Sequence, residues 1–332
     1  MTDAAPPPSL TETLANLPIL WILALVAGLT VLRLALIRRP SPAARSLSEL
    51  SETGLIALTL VYLIIRPFFV QAFYIPTASM EPTLLGNSRA KDRILVSKFQ
   101  YRLHPPQRDE VVVFLAPPAA MPGDKPFVKR LIGLPGDRVE SVAGFVLVGA
   151  KRYSHADIRQ ALAEAGAFGP EAKAEGYADQ ADHHVRFVGA GVLADKRLIG
   201  KERLAEIFTG QKDIPVTVSP GYTLRNGVKL DEPFIAEDPD YDMKIYQGEP
   251  LKHEHDPSQA ECKWNGLPIT AAEYAKEAAQ PAEGVPAGHY LMMGDNRNDS
   301  NDGTNWGLLE AWRVVGPARV VFWPPSDMGV VH

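Results

Sequence analysis

The chain has 332 residues, a formal net charge of −5 and a single cysteine, Cys262. That length suffices for one large domain or two smaller ones, each able to bury a core. The mild acidity gives no electrostatic ground for a nucleic-acid partner. A lone cysteine excludes an intramolecular disulfide, and no cysteine-protease signature surrounds it.

Residues 1–16 contain no Lys or Arg, only Asp3 and Glu12, so the positively charged start of a cleavable signal peptide is missing. Residues 17–32 are apolar apart from Thr30, and 34–37 extend the run past Arg33. The stretch is long enough to cross a bilayer core of about 30 Å, which predicts a first membrane-spanning helix over 17–37. A second apolar stretch, 54–65, continues past Arg66 to Val70 and predicts a second span over 53–70. Pro67 ends or kinks that helix, and Phe68, Phe69, Phe73 and Tyr74 suit a belt at the lipid–water boundary. The intervening loop, 38–52, carries Arg38, Arg39 and Arg45 against Glu49 and Glu52. The excess of positive charge places it in the cytoplasm, with 1–16 and everything after about residue 70 on the outer side.

Beyond residue 70 the texture changes. Short β-branched runs bounded by turn residues predict strands at 93–99, 110–114, 127–134, 139–148, 290–293 and 314–323. Many short strands separated by Pro and Gly predict a mostly β, antiparallel fold. Residues 156–175 are rich in alanine and charge, and 236–287 in acids, prolines and alanines. These stretches predict an inserted second domain at 141–285, which divides the β core into 71–140 and 286–332.

Three segments carry chemistry. Ile75-Pro76-Thr77-Ala78-Ser79-Met80-Glu81-Pro82-Thr83-Leu84 directly follows the second apolar stretch. Phe127-Val128-Lys129-Arg130-Leu131-Ile132-Gly133-Leu134-Pro135-Gly136-Asp137 offers a lysine in an apolar strand. Met293-Gly294-Asp295-Asn296-Arg297-Asn298-Asp299-Ser300 completes the set. A serine hydroxyl is a weak nucleophile until a base takes its proton. Lysine serves as that base only when neutral, which requires its pKa to fall from about 10.4 by several units, and burial among apolar groups achieves this. Strand alternation places Lys129 on one face with Phe127 and Leu131, and Val128 and Arg130 on the other.

In this order the three motifs resemble those of the bacterial type I signal (leader) peptidases, the membrane-anchored Ser/Lys proteases of family S26. The resemblance implies that Ser79 is the nucleophile, Lys129 the general base, and Ser300 the hydroxyl that orients the lysine amine. Thr77, together with the Ser79 backbone N–H, would form the oxyanion hole. Asp302 and Arg130 would support the site, and Phe73, Ile75, Pro76, Leu84 and Val128 would line the pockets that accept Ala-x-Ala cleavage sites. The family's β core is the catalytic part, and a large insert occurs in members from bacteria with two membranes. Neither a metal nor an organic cofactor is implied. The expected partners are signal peptides of exported preproteins, the lipid bilayer and, transiently, the secretion translocon. The expected place is the bacterial inner membrane, multi-pass, with the catalytic domain on the periplasmic side.

The chain departs from the family where Gly303-Thr304 stands after Asp302 in place of a pair such as Ser-Arg. The salt bridge that arginine would supply is missing or comes from elsewhere, Arg297 being a candidate. Two alternative functions remain at this level: a dedicated peptidase for a narrow set of precursors, and a non-enzymatic membrane-anchored envelope domain on the same fold. The glycine cluster at 189–191 imitates a dinucleotide fingerprint but lacks βαβ context and reads as a turn. His183-His184 and His253-Glu254-His255 lack the spacing of a zinc protease.

Overall fold

The computed structural model describes residues 19–39, 41–65, 69–86, 91–168, 184–195, 197–255 and 262–332. Two compact units emerge, Met1–Gln71 and Ala72–His332.

In the first unit, α1 (Ile19–Leu36) packs against α2 (Pro42–Leu58). Ser41 starts α2 by accepting the Ala44 backbone N–H at 3.1 Å, with Pro42 in the first turn, where its missing N–H costs nothing. Arg33 on α1 pairs with Glu52 on α2 at 2.8 Å. The helix then continues as a π-helical stretch, Thr59–Ile65. Among the described residues no helix is long and apolar enough to cross a membrane, so the two spans expected at 17–37 and 53–70 are not established. The physical reason is visible in the second of them. The helix begins at Pro42 inside the expected loop, its first half is polar, and the apolar half is divided at Leu58. Pro67 and Phe68, expected at the end of this segment, lie outside the described residues.

The rest of the chain is strand-rich. In order it contains β1 (Val70–Tyr74), β2 (Arg93–Ser97), α3 (Gln100–Leu103), β3 (Val111–Leu115), β4 (Pro126–Gly133), β5 (Val139–Val142), β6 (Phe145–Val148) and β7 (Lys151–Tyr153). There follow α4 (His155–Glu164), β8 (Val185–Val188), β9 (Gly191–Ala194), β10 (Arg197–Gly200), α5 (Lys201–Thr209), β11 (Val216–Ser219), β12 (Tyr222–Arg225) and β13 (Val228–Lys229). Then come β14 (Tyr241–Tyr246), β15 (Glu249–Glu254), β16 (Cys262–Trp264), β17 (Leu267–Ile269) and α6 (Ala271–Ala278). The chain closes with β18 (His289–Met293), α7 (Gly303–Trp306), β19 (Leu309–Glu310), β20 (Val314–Trp323) and β21 (Gly329–Val330).

An eight-stranded sheet in the order β1-β2-β20-β3-β4-β18-β19, with β21 on β20, is built entirely from 70–133 and 289–330. The intervening strands form three further sheets: β13-β12-β5-β14-β15-β16-β17, β11-β6-β7 and β10-β9-β8. The fold is thus mostly β and antiparallel, as composition and turn spacing predict. One core joins the two groups of strands: Ile132, Leu291 and Met293 pack with Val139, Tyr241, Met243 and Ile245.

The run predicted as one strand over 139–148 divides in two at Gly144. A side chain there would sit 2.3 Å from an Asp238 carboxylate oxygen and 2.7 Å from the Gly221 backbone nitrogen. The chain therefore turns at a glycine that lets two backbones meet. The glycine cluster at 189–191 is the turn of the β8–β9 hairpin, as its lack of βαβ context implies. The alanine- and charge-rich stretch begins as α4, where Ser154 and Asp157 form a reciprocal capping box; residues 169–175 of that stretch lie outside the described residues.

Candidate active site

The site is assembled from three pieces of chain that sequence separates widely. Ser79 sits in a single 3₁₀ turn, Ala78–Met80, between β1 and β2. Met80 and Leu84 on either side of Pro82 are fully buried among Ile75, Ile94, Val96, Val111 and Val113. The turn is thereby pinned into the core while Thr77 remains at the surface. Gly86 closes the loop against Thr77, since any side chain there would meet the Thr77 backbone at 1.8 Å. The Gly86 N–H donates to the buried Glu81 carboxylate at 3.2 Å.

Lys129 projects from β4, opposite Val112 of β3. Phe127 and Leu131 pack into the cluster of Val112, Phe114, Met292 and Trp306, while Val128 packs into the other cluster, beside Val111 and Val113. This is the alternation expected from the sequence. Lys129 is 4% exposed. Its ammonium nitrogen donates a short hydrogen bond to Ser79 Oγ. Burial pushes its pKa down to about 8, against the opposing pull of Asp302, Asp295 and Asp299. The neutral amine, the form that can accept a proton, is therefore accessible at mildly alkaline pH. Thr77 Oγ1 lies 3.2 Å from Ser79 Oγ.

The third piece is the loop from Gly294 to Asp302, between β18 and α7. The Asn296 backbone N–H donates to the Ser79 carbonyl at 3.2 Å. A side chain on Gly294 would sit 2.5 Å from that same carbonyl oxygen and 2.2 Å from Ser300 Oγ. Ser300 and the Ser79 carbonyl thus both pack closely around Gly294. Among the described residues the buried Ser300 hydroxyl has no hydrogen-bond partner, so in this arrangement it does not hold the Lys129 amine.

The charges around the site differ from the expected pairing. Arg130 makes a fully buried, two-pronged pair with Asp295, at 2.8 and 2.6 Å, not with Asp302. It also donates to the carbonyls of Asp109 and His332 and lies over the Phe234 ring at 3.9 Å. Thr83 donates to the same Asp295 at 2.5 Å. Asp302 caps α7, accepting Thr304 N–H at 3.0 Å and the Thr304 hydroxyl at 2.8 Å, while its other oxygen receives the Gly294 N–H at 2.8 Å. Thr304 thus satisfies the oxygen for which sequence comparison leads one to expect an arginine. Arg297 does not take that place: it pairs with Glu232 at 2.6 Å and donates to the Gly294 carbonyl at 3.0 Å. Sequence reasoning missed Asp295 and Asn296 as organisers of the site, although both stand inside the third motif.

Of the five expected pocket residues, Leu84 is fully buried and Ile75 nearly so, and both belong to the core cluster. Phe73 and Val128 are half-buried against that cluster, and Pro76 is exposed.

An antiparallel β fold thus holds the Ser79 hydroxyl against the buried Lys129 amine. The family model described as signal peptidase, peptidase S26, matches residues 47–203 and 215–323, and the chain belongs to this family. A probable signal peptidase I-2 of Synechocystis is 27% identical over 296 residues, spanning 89% of this chain and 81% of that one. Signal peptidase I of Mycobacterium tuberculosis is 28% identical over 307 residues, spanning 88% and 78%. That of Pseudomonas aeruginosa is 26% identical over 305 residues, spanning 82% and 75%. Family and relatives together make this chain a serine peptidase of the signal peptidase I type.

Proposed function

We propose that this enzyme removes N-terminal signal peptides from exported preproteins with a Ser79/Lys129 dyad, cutting after Ala-x-Ala sites at the outer face of a membrane. One observation carries the reading: a buried lysine amine in hydrogen-bond contact with a serine hydroxyl. Ser79 Oγ attacks the scissile carbonyl as neutral Lys129 takes its proton. The lysine then gives that proton to the leaving amine, and an acyl-enzyme on Ser79 remains. Lys129 next removes a proton from the water that hydrolyses the acyl group. The Thr77 hydroxyl and the Ser79 N–H donate to the oxyanion. Ser300 would act by turning its unpartnered hydroxyl to the amine when substrate arrives. Phe73 and Val128 form the accessible wall of the substrate groove beside Pro76, and Ile75 and Leu84 set its floor. No metal or organic cofactor is required for these steps.

The membrane assignment draws on the surface of the first unit. Trp21, Leu23, Leu25, Val31 and Leu34 on α1 are exposed, as are Leu50, Ile56 and Leu60 further on. So large an exposed apolar surface matches a lipid environment. Two N-terminal spans with a short cytoplasmic loop would leave the peptidase unit on the periplasmic side of a bacterial inner membrane, within reach of preproteins emerging from the translocon.

The test is cleavage of a preprotein by purified enzyme in detergent. Ser79→Ala and Lys129→Ala are expected to abolish cleavage while the β-rich circular dichroism spectrum is retained. Near-normal turnover by the Lys129→Ala protein would overturn the dyad.

A further inference from the structure

Residues that the peptidase reaction leaves unused gather on one face of the seven-stranded sheet. Asp242 on β14 stands directly opposite His253 on β15, and directly opposed residues have Cβ atoms about 4.5–5.5 Å apart on the same face. His255 lies just beyond the end of β15, two residues on from His253, and extended chain returns to the same face every second residue. The side chains do meet: the His253 and His255 rings are 4.5 Å apart, and His255 Nε2 is 2.7 Å from an Asp242 carboxylate oxygen. One donor atom from each of the three residues lies within 4.8 Å of the others.

We propose that Asp242, His253 and His255 form a binding site for a divalent transition ion, with Zn²⁺ the ion the donors suit best. Two imidazole nitrogens and one carboxylate oxygen match the ligand preferences of that ion, whose bonds to such donors are about 2.0–2.2 Å long. A tetrahedral shell of that size needs donors roughly 3.3–3.5 Å apart, between the 2.7 Å of the His255–Asp242 contact and the 4.8 Å within which all three donors lie. Three protein ligands would leave one position for water.

Two features distinguish this cluster from an ordinary surface ion pair. First, the His253 ring has no side-chain hydrogen bond among the described residues; its neighbours are the rings of His255 and Tyr274. Second, the ligands are held from behind. The other Asp242 oxygen accepts the Ala143 N–H at 2.9 Å, and the His255 N–H donates to the Asp240 carbonyl at 3.2 Å. The first contact orients the ligating carboxylate, and the second fixes the backbone that carries the His255 ring. His253-Glu254-His255 lacks the spacing of a zinc protease. On extended chain a spacing of two is what brings both rings to one face.

The site also has a connection to the peptidase centre. Asp240, whose carbonyl accepts the His255 backbone N–H, donates its own backbone N–H to Asn298 Oδ1 at 3.0 Å. A bound ion would therefore stiffen the start of β14, to which the Gly294–Asp302 loop is hydrogen-bonded through Asn298.

Untagged full-length protein, stripped with a chelator, is titrated with Zn²⁺ by calorimetry and by thermal unfolding. One ion per chain is expected, with a rise in Tm on saturation. His253→Ala and His255→Ala are each expected to weaken Zn²⁺ binding by more than ~100-fold, beyond the 10–100-fold typical of losing an outer contact, and to erase the Tm rise. A third variant, His184→Ala, removes a histidine outside the cluster and is expected to bind as the parent does. Absence of stoichiometric Zn²⁺ binding by the parent overturns the proposal. So does parent-like binding by a folded His253→Ala/His255→Ala double variant, which would place the ion elsewhere.

Discussion

The proposed chemistry turns on one amine. Lys129 lies behind β-strand walls of Phe127 and Leu131 on one side and the Ser79 turn on the other. Burial is the larger of the opposing effects: three aspartates pull its pKa upward, and it nevertheless settles at about 8. The activity consequence follows directly. Only the neutral amine accepts a proton, so kcat/KM for a peptide substrate is expected to rise with pH through about 8. A rate flat from pH 6 to pH 10 would remove Lys129 as the base. Lys129→Arg is expected to be inactive at every pH, because a guanidinium does not deprotonate in a protein. The stability consequence has the same origin. The folded pKa lies below the unfolded value of 10.5, so the unfolded state binds more protons between about 8 and 10.5. Stability is therefore expected to rise with pH across that window, by an amount of order 3 kcal/mol for a shift of this size. Urea unfolding of Lys129→Met beside the parent checks this: the variant should be the more stable at pH 7, and the difference should shrink toward pH 10. At Thr77, Thr77→Val is expected to lower kcat by roughly 10²–10³, the typical loss of one oxyanion donor, whereas Thr77→Ser should retain most of it.

At the level of elements, the β18–α7 loop is what joins the Ser79 turn and β4. It is fastened twice. Arg130 on β4 grips Asp295 through two buried hydrogen bonds, and Asn296 donates to the Ser79 carbonyl. Removing one partner of a buried pair leaves the other charge uncompensated, at a cost of about 3–5 kcal/mol. Asp295→Ala is therefore expected to lower the unfolding free energy by that amount and to reduce cleavage with it, both measurable on one preparation. The loop also accounts for a glycine that sequence alone leaves unexplained: Gly294 lies so near Ser300 and the Ser79 carbonyl that Gly294→Ala is expected to displace the turn and cut kcat sharply. Much of this level was legible in the chain. The strand at 127–134, its alternation and the buried lysine follow from the run of apolar residues around Lys129. The partner of Arg130 was not legible, because Asp295 inside the third motif and Asp302 just past its end stand only seven residues apart, and only the fold decides which carboxylate faces β4. Nor was the role of Thr304 legible, since an acid capped by its own helix needs no distant arginine.

For the molecule as a whole, the strands of 70–133 and 289–330 form one sheet, and those of 139–269 form others, yet Ile132, Leu291 and Met293 share a core with Tyr241, Met243 and Ile245. Ala72–His332 therefore behaves as one compact unit, and an insertion read from composition at 141–285 is tied to the catalytic sheet by packing. The apolar surface of the helices before residue 66 leads to a further expectation: full-length protein should resist extraction from membranes at alkaline pH, and a variant lacking residues 1–68 should be released while still cleaving a short peptide. Recovery of the full chain in the soluble fraction would count against a lipid-embedded N-terminus.

The sequence by itself determined the mostly β, antiparallel character of the fold and the family, and it singled out Ser79 and Lys129 as the candidate pair, because these depend on local patterns: alternation in strands, turn residues between them, and three motifs in fixed order. It could not determine which carboxylate neutralises Arg130, where the Ser300 hydroxyl points, or that Asp242, His253 and His255 converge. Those facts join residues separated by up to 165 positions, and distances across such separations are set by strand register and core packing. A local pattern carries no record of either.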